Sequence, residues 1–209
     1  MDNQNFVITI GRQFGSGGRE LGSKLAKELG IAYYDKELLE EAAKQAGISE
    51  DIIERSDERF PSFFNAFIPV SIGYNPAASY LSSSSTISAD NLYKAQSDVI
   101  ETIAQRHSCV IVGRSADYVL RNHPRLISIF IHANMDDCID RIMGRGDCKT
   151  REEARAKAEK TNKLRASYYN FYTDKTWGNA ASYDLTINSS TMSMDKIVKI
   201  VADFVRCRF

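Results

Sequence analysis

The feature that most constrains this chain is the joint between residues 5 and 30, where an apolar run, a glycine-rich stretch and an amphipathic helix follow one another directly. Phe6-Val-Ile-Thr-Ile10 is β-branched and almost continuously apolar, the pattern of a strand covered on both faces. Gly11-Arg-Gln-Phe-Gly-Ser-Gly-Gly-Arg-Glu20 is then a loop, and Leu21, Leu25, Ala26 and Leu29 recur at helical spacing until Gly30 closes the helix as its C′ residue. A strand that turns through glycines into a helix gathers backbone N–H groups and the positive helix end around one point, and phosphate is the natural occupant. Gly15, Gly17 and Gly18 let the chain turn tightly and keep Cβ atoms away from the anion's oxygens. The alternative is a plain glycine turn joining strand to helix.

Departures from the phosphate-loop pattern G-x-x-x-x-G-K-[ST] narrow the chemistry. With Gly17 as the second glycine, the lysine position holds Gly18, and the metal-bearing hydroxyl, shifted one residue as in G-K-G-T loops, becomes Glu20. Arg19 is the expected replacement cation, able to fork onto two phosphate oxygens, while Arg12 reaches in from the other side of the loop. Arg12, Gly15, Ser16, Gly17, Gly18, Arg19 and Glu20 are therefore the candidate phosphate-binding set. Glu20 either orients Mg2+ through water or is a surface carboxylate favouring the helix amino terminus.

The rest of the chain repeats the strand-then-helix order. Residues 31–35, Cys109–Val112, 126–131 and 183–187 read as further short strands, and 90–107, 136–144, 150–172 and 194–206 as helices. In the helix over 90–107, Leu92, Ala95, Gln96, Val99, Ile103 and Ala104 make the inner face. Residues 36–45 and 49–59 read as two amphipathic helices, the second capped by Ser49 with Asp51 in its first turn. The order predicts an α/β fold: three layers, α/β/α, around a mostly parallel five-stranded sheet in one domain. Residues 60–89 break the pattern with Pro61, Pro69, Pro76, serines 82–85 and the aromatics Phe63, Phe64, Phe67, Tyr74 and Tyr80. They form either a surface loop packed by its aromatics or a segment covering a substrate.

Composition removes several classes of function. In 209 residues, 27 Lys+Arg balance 27 Asp+Glu, so neither the field nor the basic tail of a protein that coats nucleic acid or anionic membrane is present. No run approaches the roughly 18 apolar residues of a membrane span, and residues 1–5 lack a signal pattern, so the cytoplasm is the expected compartment. Cys109, Cys138, Cys148 and Cys207 are too scattered for a disulfide framework or a metal site. His107, His123 and His132 share no catalytic spacing.

Beyond the residue-level reading, the chain resembles the bacterial cytidylate kinase-like family, P-loop relatives of the nucleoside monophosphate kinases. The likeness is carried by Ile8-Thr-Ile-Gly-Arg-Gln-Phe-Gly-Ser-Gly-Gly-Arg-Glu-Leu-Gly22 with Gly30-Ile-Ala-Tyr-Tyr-Asp35, and by Val110-Ile-Val-Gly-Arg-Ser115. It continues at Lys160-x-x-Lys163-x-Arg165-x-x-Tyr168-Tyr169, where those kinases carry an arginine-rich lid, and at Trp177-Gly178 with Tyr183-Asp-Leu-Thr-Ile-Asn-Ser189. The resemblance implies a P-loop fold with a helical lid and an acceptor-covering insertion. It also implies a phosphotransferase with ATP on the glycine loop, a nucleoside monophosphate, CMP or dCMP, opposite it, and Mg2+ between.

Phosphoryl transfer needs two phosphates held in line and cations around the transferring group. Arg12 and Arg19 at the loop, Arg114 at a strand's carboxyl end, and Lys160, Lys163 and Arg165 on a mobile helix would supply that ring, with Arg19, Lys160, Lys163 and Arg165 as the catalytic set. Arg114, Ser115 and Asp35 are the candidate acceptor contacts, although Ser115 stands where the family's cytidylate kinases have aspartate, Arg114 has a surface arginine paired with a nearby carboxylate as its alternative, and Asp35 reads equally as a cap on the helix starting at Lys36. The bland reading of residues 150–172 is a solvated face laced with i,i+4 pairs such as Glu153–Lys157; against it, the acids thin out from Lys160 onward. Tyr168, Tyr169, Phe171, Tyr172 and Trp177 either pack the core and anchor the lid or stack on a base. Three functions stay open: a nucleoside monophosphate kinase, a nucleotide-binding module without transfer activity, and a kinase of another small phosphate acceptor.

Overall fold

The computed structural model describes residues 5–35 and 89–209. The apolar run at the start of the chain is strand β1 (Val7–Arg12), with Val7, Ile8 and Ile10 fully buried. With β2 (Ala32–Tyr34), β3 (Cys109–Val112), β4 (Leu126–His132) and β5 (Leu185–Asn188) it makes a five-stranded sheet of order β2-β3-β1-β4-β5. Every pairing is parallel, in the register Ile10↔Val112 on one side of β1 and Arg12↔Ile131 on the other.

Continuous apolar strands need cover on both faces, and helices supply it. On one face α1 (Gly18–Leu29) and α6 (Met194–Arg208) set Leu21, Leu25, Ile197 and Val201 against Ile8, Ile10, Val112 and Ile129. On the other, α2 (Ala89–Arg106) and the short α3 (Ala116–Val119) set Ile100, Ile103 and Val119 against Val7, Cys109 and Ile111. The expected three-layer fold is thus present, with a sheet that is parallel throughout. Val99, Ile103 and Ala104 face the core as expected, while Gln96 is only half-buried. The expected helices at 36–45 and 49–59, with Ser49 and Asp51, and the segment 60–88 lie outside the described residues, as do the side chains of Leu92 and Ala95.

A third, smaller core forms where α4 (Met135–Gly144) packs on the 23-residue α5 (Arg151–Thr173) through Ile139, Ile142, Ala154 and Ala158. Thr150 accepts from the Glu153 N–H at 3.2 Å and Glu153 accepts from the Thr150 N–H at 3.3 Å, so a capping box fixes the start of α5. Glu153 is spent on that cap, and Lys157 donates instead to the Asp147 carbonyl at 3.2 Å, which replaces the Glu153–Lys157 pair expected from the sequence. Residues 180–182 form a short 3-10 turn ending at Tyr183, so β5 begins two residues later than the sequence suggests.

β1 has β3 on one side and β4 on the other; the connection from β1 runs past β3 to β2, and the one from β3 crosses back over β1 to β4, so the direction of the connections reverses beside β1. Ligands of open α/β sheets bind in the crevice outside the carboxyl ends of the strands at such a point. Gly22 sets how closely α1 lies over that edge, because a Cβ there would come within 2.8 Å of Val112 Cγ2 and 3.1 Å of Tyr33 Cε2. Gly22→Val is expected to cost about 1–3 kcal/mol by overpacking. Urea unfolding measures it, and an unchanged midpoint would show that α1 can move off the sheet freely.

Candidate functional site

The glycine loop is braced before it turns. Gln13 donates its N–H to the Ile131 carbonyl at 2.9 Å and accepts from the Ala133 N–H at 3.2 Å, tying the loop to the end of β4. Both the N–H and the hydroxyl of buried Ser16 donate back to the Gln13 carbonyl, at 3.3 and 2.8 Å, and the Ser16 carbonyl accepts from the Ser189 hydroxyl at 2.6 Å. Gly15 lies at φ 81°, and a Cβ there would sit 2.7 Å from the Cys138 carbonyl oxygen. Gly17 is the N-cap of α1, whose first backbone bond runs from the Leu21 N–H to the Gly17 carbonyl at 2.9 Å. The amides of Gly18, Arg19 and Glu20 precede that bond, at the positive end of the helix.

Arginines gather around this edge. Burial, followed by the like charges of Arg165, Arg114 and Arg19, pushes the Arg12 guanidinium down to about 9, against a smaller opposing effect from Tyr33. Burial and then Arg145 push Arg165 down to about 10. Arg165 donates to the Arg12 carbonyl at 2.9 Å, which pins α5 to the end of β1. Neither Arg12 nor Arg165 forms an ion pair with a carboxylate among the described residues. Half-buried guanidiniums lowered by burial and by neighbouring arginines, with no carboxylate partner among the described residues, make a site for an anion.

The path of Arg12 explains the missing lysine in steric terms. A Cβ on Gly18 would lie 2.6 Å from Arg12 Cβ and 3.1 Å from its Cγ, so the stem of Arg12 fills the space of a side chain at residue 18. A Cβ on Gly113, at φ 86°, would overlap the Arg12 guanidinium and lie 2.8 Å from its Cζ. Arg12 therefore runs in a slot floored by two glycines. Arg114 and Ser115, at φ 60° and 50°, continue the left-handed turn that begins at Gly113.

Beside the loop lies a cavity of about 250 Å³ lined by Arg12, Arg114, Ser115 and Arg165 and also by Asp117, Tyr168, Tyr169, Trp177 and Tyr183. Asp117 is buried and accepts from the Tyr169 hydroxyl at 2.6 Å. Burial pushes its carboxyl above the ordinary range, only partly offset by that bond, by Lys175 and by nearby backbone N–H groups. Tyr168 packs on Tyr172 at 4.9 Å between ring centroids, Tyr172 stacks on Tyr93 at 4.2 Å, and Trp177 meets Phe130 edge-on at 5.1 Å. The aromatic cluster thus packs against itself and still offers Tyr168, Tyr169 and Trp177 to the cavity.

The residues singled out from the sequence do not all meet. Arg12, Arg114, Ser115 and Arg165 share the cavity wall. Arg19 donates to Asp35 at 2.8 Å, so the expected loop cation and the expected acceptor carboxylate hold each other, with Tyr33 bridging at 3.4 Å to each. Glu20 takes Lys24 at 3.1 Å. Lys160 and Lys163 lie exposed on α5 and do not line the cavity. Sequence reasoning missed Asp117; the signal was an acid two residues beyond Gly113-Arg114-Ser115, inside a turn with no periodicity. It also missed Asn162, whose Oδ1 accepts from the Phe14 N–H at 2.7 Å and joins α5 to the middle of the loop.

Residues 7–191 match the model of the cytidylate kinase-like family. Among solved structures, an uncharacterized protein from Eubacterium ventriosum is similar over 97% of this chain and 99% of its own, at 27% identity and a TM-score of 0.71. A shikimate kinase from Bacteroides thetaiotaomicron is similar over 96% of this chain and 98% of its own, at 12% identity and a TM-score of 0.55. A gluconokinase from Sinorhizobium meliloti is similar over 97% of this chain and 92% of its own, at 14% identity and a TM-score of 0.53. The two kinases establish the fold alone. A comparison with curated proteins finds no match.

Because the folded carboxyl of Asp117 titrates above its unfolded value, its stabilising effect is complete only at pH below the ordinary carboxylate range and is lost as pH rises through the folded value. Asp117→Asn keeps an acceptor for Tyr169 and removes the titration. The melting temperature of the variant minus that of the parent is expected to grow more positive from pH 4 to pH 7 in thermal melts. A flat difference would show that Asp117 keeps its ordinary acidity.

Proposed function

This chain belongs to the cytidylate kinase-like family, and from that premise we propose that it transfers the terminal phosphoryl group of ATP to a nucleoside monophosphate, CMP or dCMP. The observation that carries this reading is the pair Arg12 and Arg165, which have no carboxylate partner among the described residues, joined by Arg114 on the wall of a cavity that abuts the glycine loop. The triphosphate takes the loop amides between Gly15 and Glu20. The acceptor's phosphate takes Arg114 and Arg165 at the cavity mouth, with its base toward Tyr168, Tyr169 and Trp177. Transfer through a loose transition state asks chiefly for alignment and for cations that meet spreading charge. The acceptor phosphate, with a second pKa of about 6, is ionised at neutral pH and needs no general base.

Among the described residues no group of three or more His, Cys, Asp or Glu stands together to hold a metal ion. Mg2+ commonly keeps several waters and takes its remaining ligands from substrate phosphates, so the half-exposed Glu20 carboxylate beside the loop fits a water-bridged ion rather than a caged one. When bound, the ion would neutralise charge between the two phosphates; the chain's own part is to hold Glu20 at the start of α1, where Lys24 orients it at 3.1 Å.

A second reading rests on Gly18, which leaves the lysine position without a cation, and describes a binding protein that holds ATP without turnover. Coupled assays of ADP release with each nucleoside monophosphate separate the two. CMP or dCMP is expected to be turned over at least about tenfold faster than the other monophosphates. ATP binding without turnover would leave only the binding protein, and turnover with a non-nucleotide acceptor alone would move the chain to another kinase class. Arg114→Ala is expected to raise the acceptor KM roughly tenfold, the order of one charge-assisted contact, with ATP affinity nearly intact. A loss confined to ATP would mean that the two half-sites are exchanged.

A further inference from the structure

We infer that Arg12 performs the task of the missing loop lysine, and that Gly18 and Gly113 are the positioning residues that admit it. The inference rests on the reading of the loop as a triphosphate site. In the phosphate-loop pattern the lysine stands directly after the second glycine and reaches the transferred phosphates from within the loop. Here that position is Gly18, and it is filled from outside: the stem of Arg12 occupies the volume where a residue-18 side chain would begin, 2.6 Å from its Cβ position.

Lysine at 18 and arginine at 12 are therefore mutually exclusive in this backbone. One cation enters the loop, by one of two routes. Past Gly18 the side chain crosses to Gly113, where any Cβ would overlap the guanidinium. The turn over Gly113, Arg114 and Ser115 is left-handed at all three residues, two of them not glycine, a conformation that side chains adopt only at a cost. That turn keeps the channel clear and aims Arg114 at the same cavity.

Arg19, the replacement expected from the sequence, begins one residue further along α1 and is engaged by Asp35 at 2.8 Å. Arg12 has no carboxylate of its own among the described residues, and the Arg165 that anchors its carbonyl is a second cation. A ligand oxyanion is the counter-charge this arrangement lacks.

The test is a reciprocal transplant. Arg12→Ala is expected to lower kcat by about 100-fold or more, the scale of losing one preorganised cation or donor at a developing charge. Gly18→Lys alone is expected to be impaired, because its side chain meets the stem of Arg12. Combining Arg12→Ala with Gly18→Lys empties the slot and restores the lysine route, and is expected to recover at least about tenfold over Arg12→Ala alone. Combining Arg12→Ala with Gly18→Met, which refills the slot without a charge, is expected to give no such recovery; equal recovery would mean that Arg12 only packs the loop. Gly113→Ala is expected to weaken ADP binding in the parent and to have no further effect once Arg12 is Ala.

ADP titration by calorimetry, run on every variant beside thermal melts, gives a readout that needs no acceptor. If the parent chain turns over no acceptor, the kinase reading fails. The assignment of Arg12 still stands if ADP affinity falls at Arg12→Ala and returns in the double variant. Should Arg12→Ala keep ADP affinity and kcat within about threefold of the parent, or should Arg19→Ala lose more than Arg12→Ala, the assignment is overturned.

Discussion

Like charges held together, with no carboxylate paired to Arg12 or Arg165 among the described residues, define the working edge of this molecule. Burial and the nearby Arg165 lower the proton affinity of Arg12; Arg114 and Arg19 add to the field there, and burial with Arg145 lowers that of Arg165. Such an arrangement is unfavourable in the empty protein and is tolerated because the surrounding backbone fixes it: Arg165 is bonded to the Arg12 carbonyl, and the stem of Arg12 lies in its glycine slot. The rest of the architecture serves that placement. The parallel sheet brings the ends of β1 and β3 to the same edge, α1 opens beside them, and the apolar cores on both faces hold the edge rigid.

The same physics recasts α5. A cationic helix beside a phosphate site suggests a free lid, yet α5 is joined to the loop at two points: Asn162 to the Phe14 N–H and Arg165 to the Arg12 carbonyl. Phe14 also sinks among Ile139, Ile142 and Ala158, with the Arg145, Arg165 and Lys157 cations at 5.4 to 5.8 Å from its ring centre. Any movement of α5 must carry the loop or break these contacts, so the position of α5 and the shape of the glycine loop are linked. Lys160 and Lys163, exposed on this helix, lie outside the linkage.

Periodicity and turn chemistry made most of the described fold legible. Continuous apolar runs marked β1, β3 and β4, the alternation of strands with helices placed β2 and β5, and Gly30, at φ 65°, ends α1 as a glycine C′ residue should. What stayed hidden was short or three-dimensional. α3 has four residues and no period, and Asp117 within it acquires its character chiefly from burial and from Tyr169, 52 residues away in the chain. Likewise, the sequence places Arg12 and Arg19 on either side of one loop with nothing to rank them. The ranking comes from two facts of space: Asp35, at the end of a neighbouring strand, engages Arg19, while Gly113, a hundred residues away, clears a path for Arg12. Local pattern reports which cations are available; tertiary contact decides which is directed at the ligand.

That distinction bears on how a degenerate phosphate loop should be judged. A missing lysine is ordinarily evidence of lost chemistry, since a cation at the transferring group is worth several kcal/mol. The inference holds only if the space the lysine vacated is empty, or filled by something without charge. Here it is filled by the stem of an arginine whose head lies over a left-handed turn. Strain of that kind persists only where packing over-determines it. A loop that had simply decayed would leave Gly18 facing a void or an apolar neighbour and would have no need of an open left-handed glycine at 113. Instead, the two glycines and the arginine form one steric unit, and the absence of a side chain at 18 is a requirement of that unit. Gly18 then marks a relocated charge, and the kinase and binding-protein readings differ in what Arg12 does rather than in what residue 18 lacks.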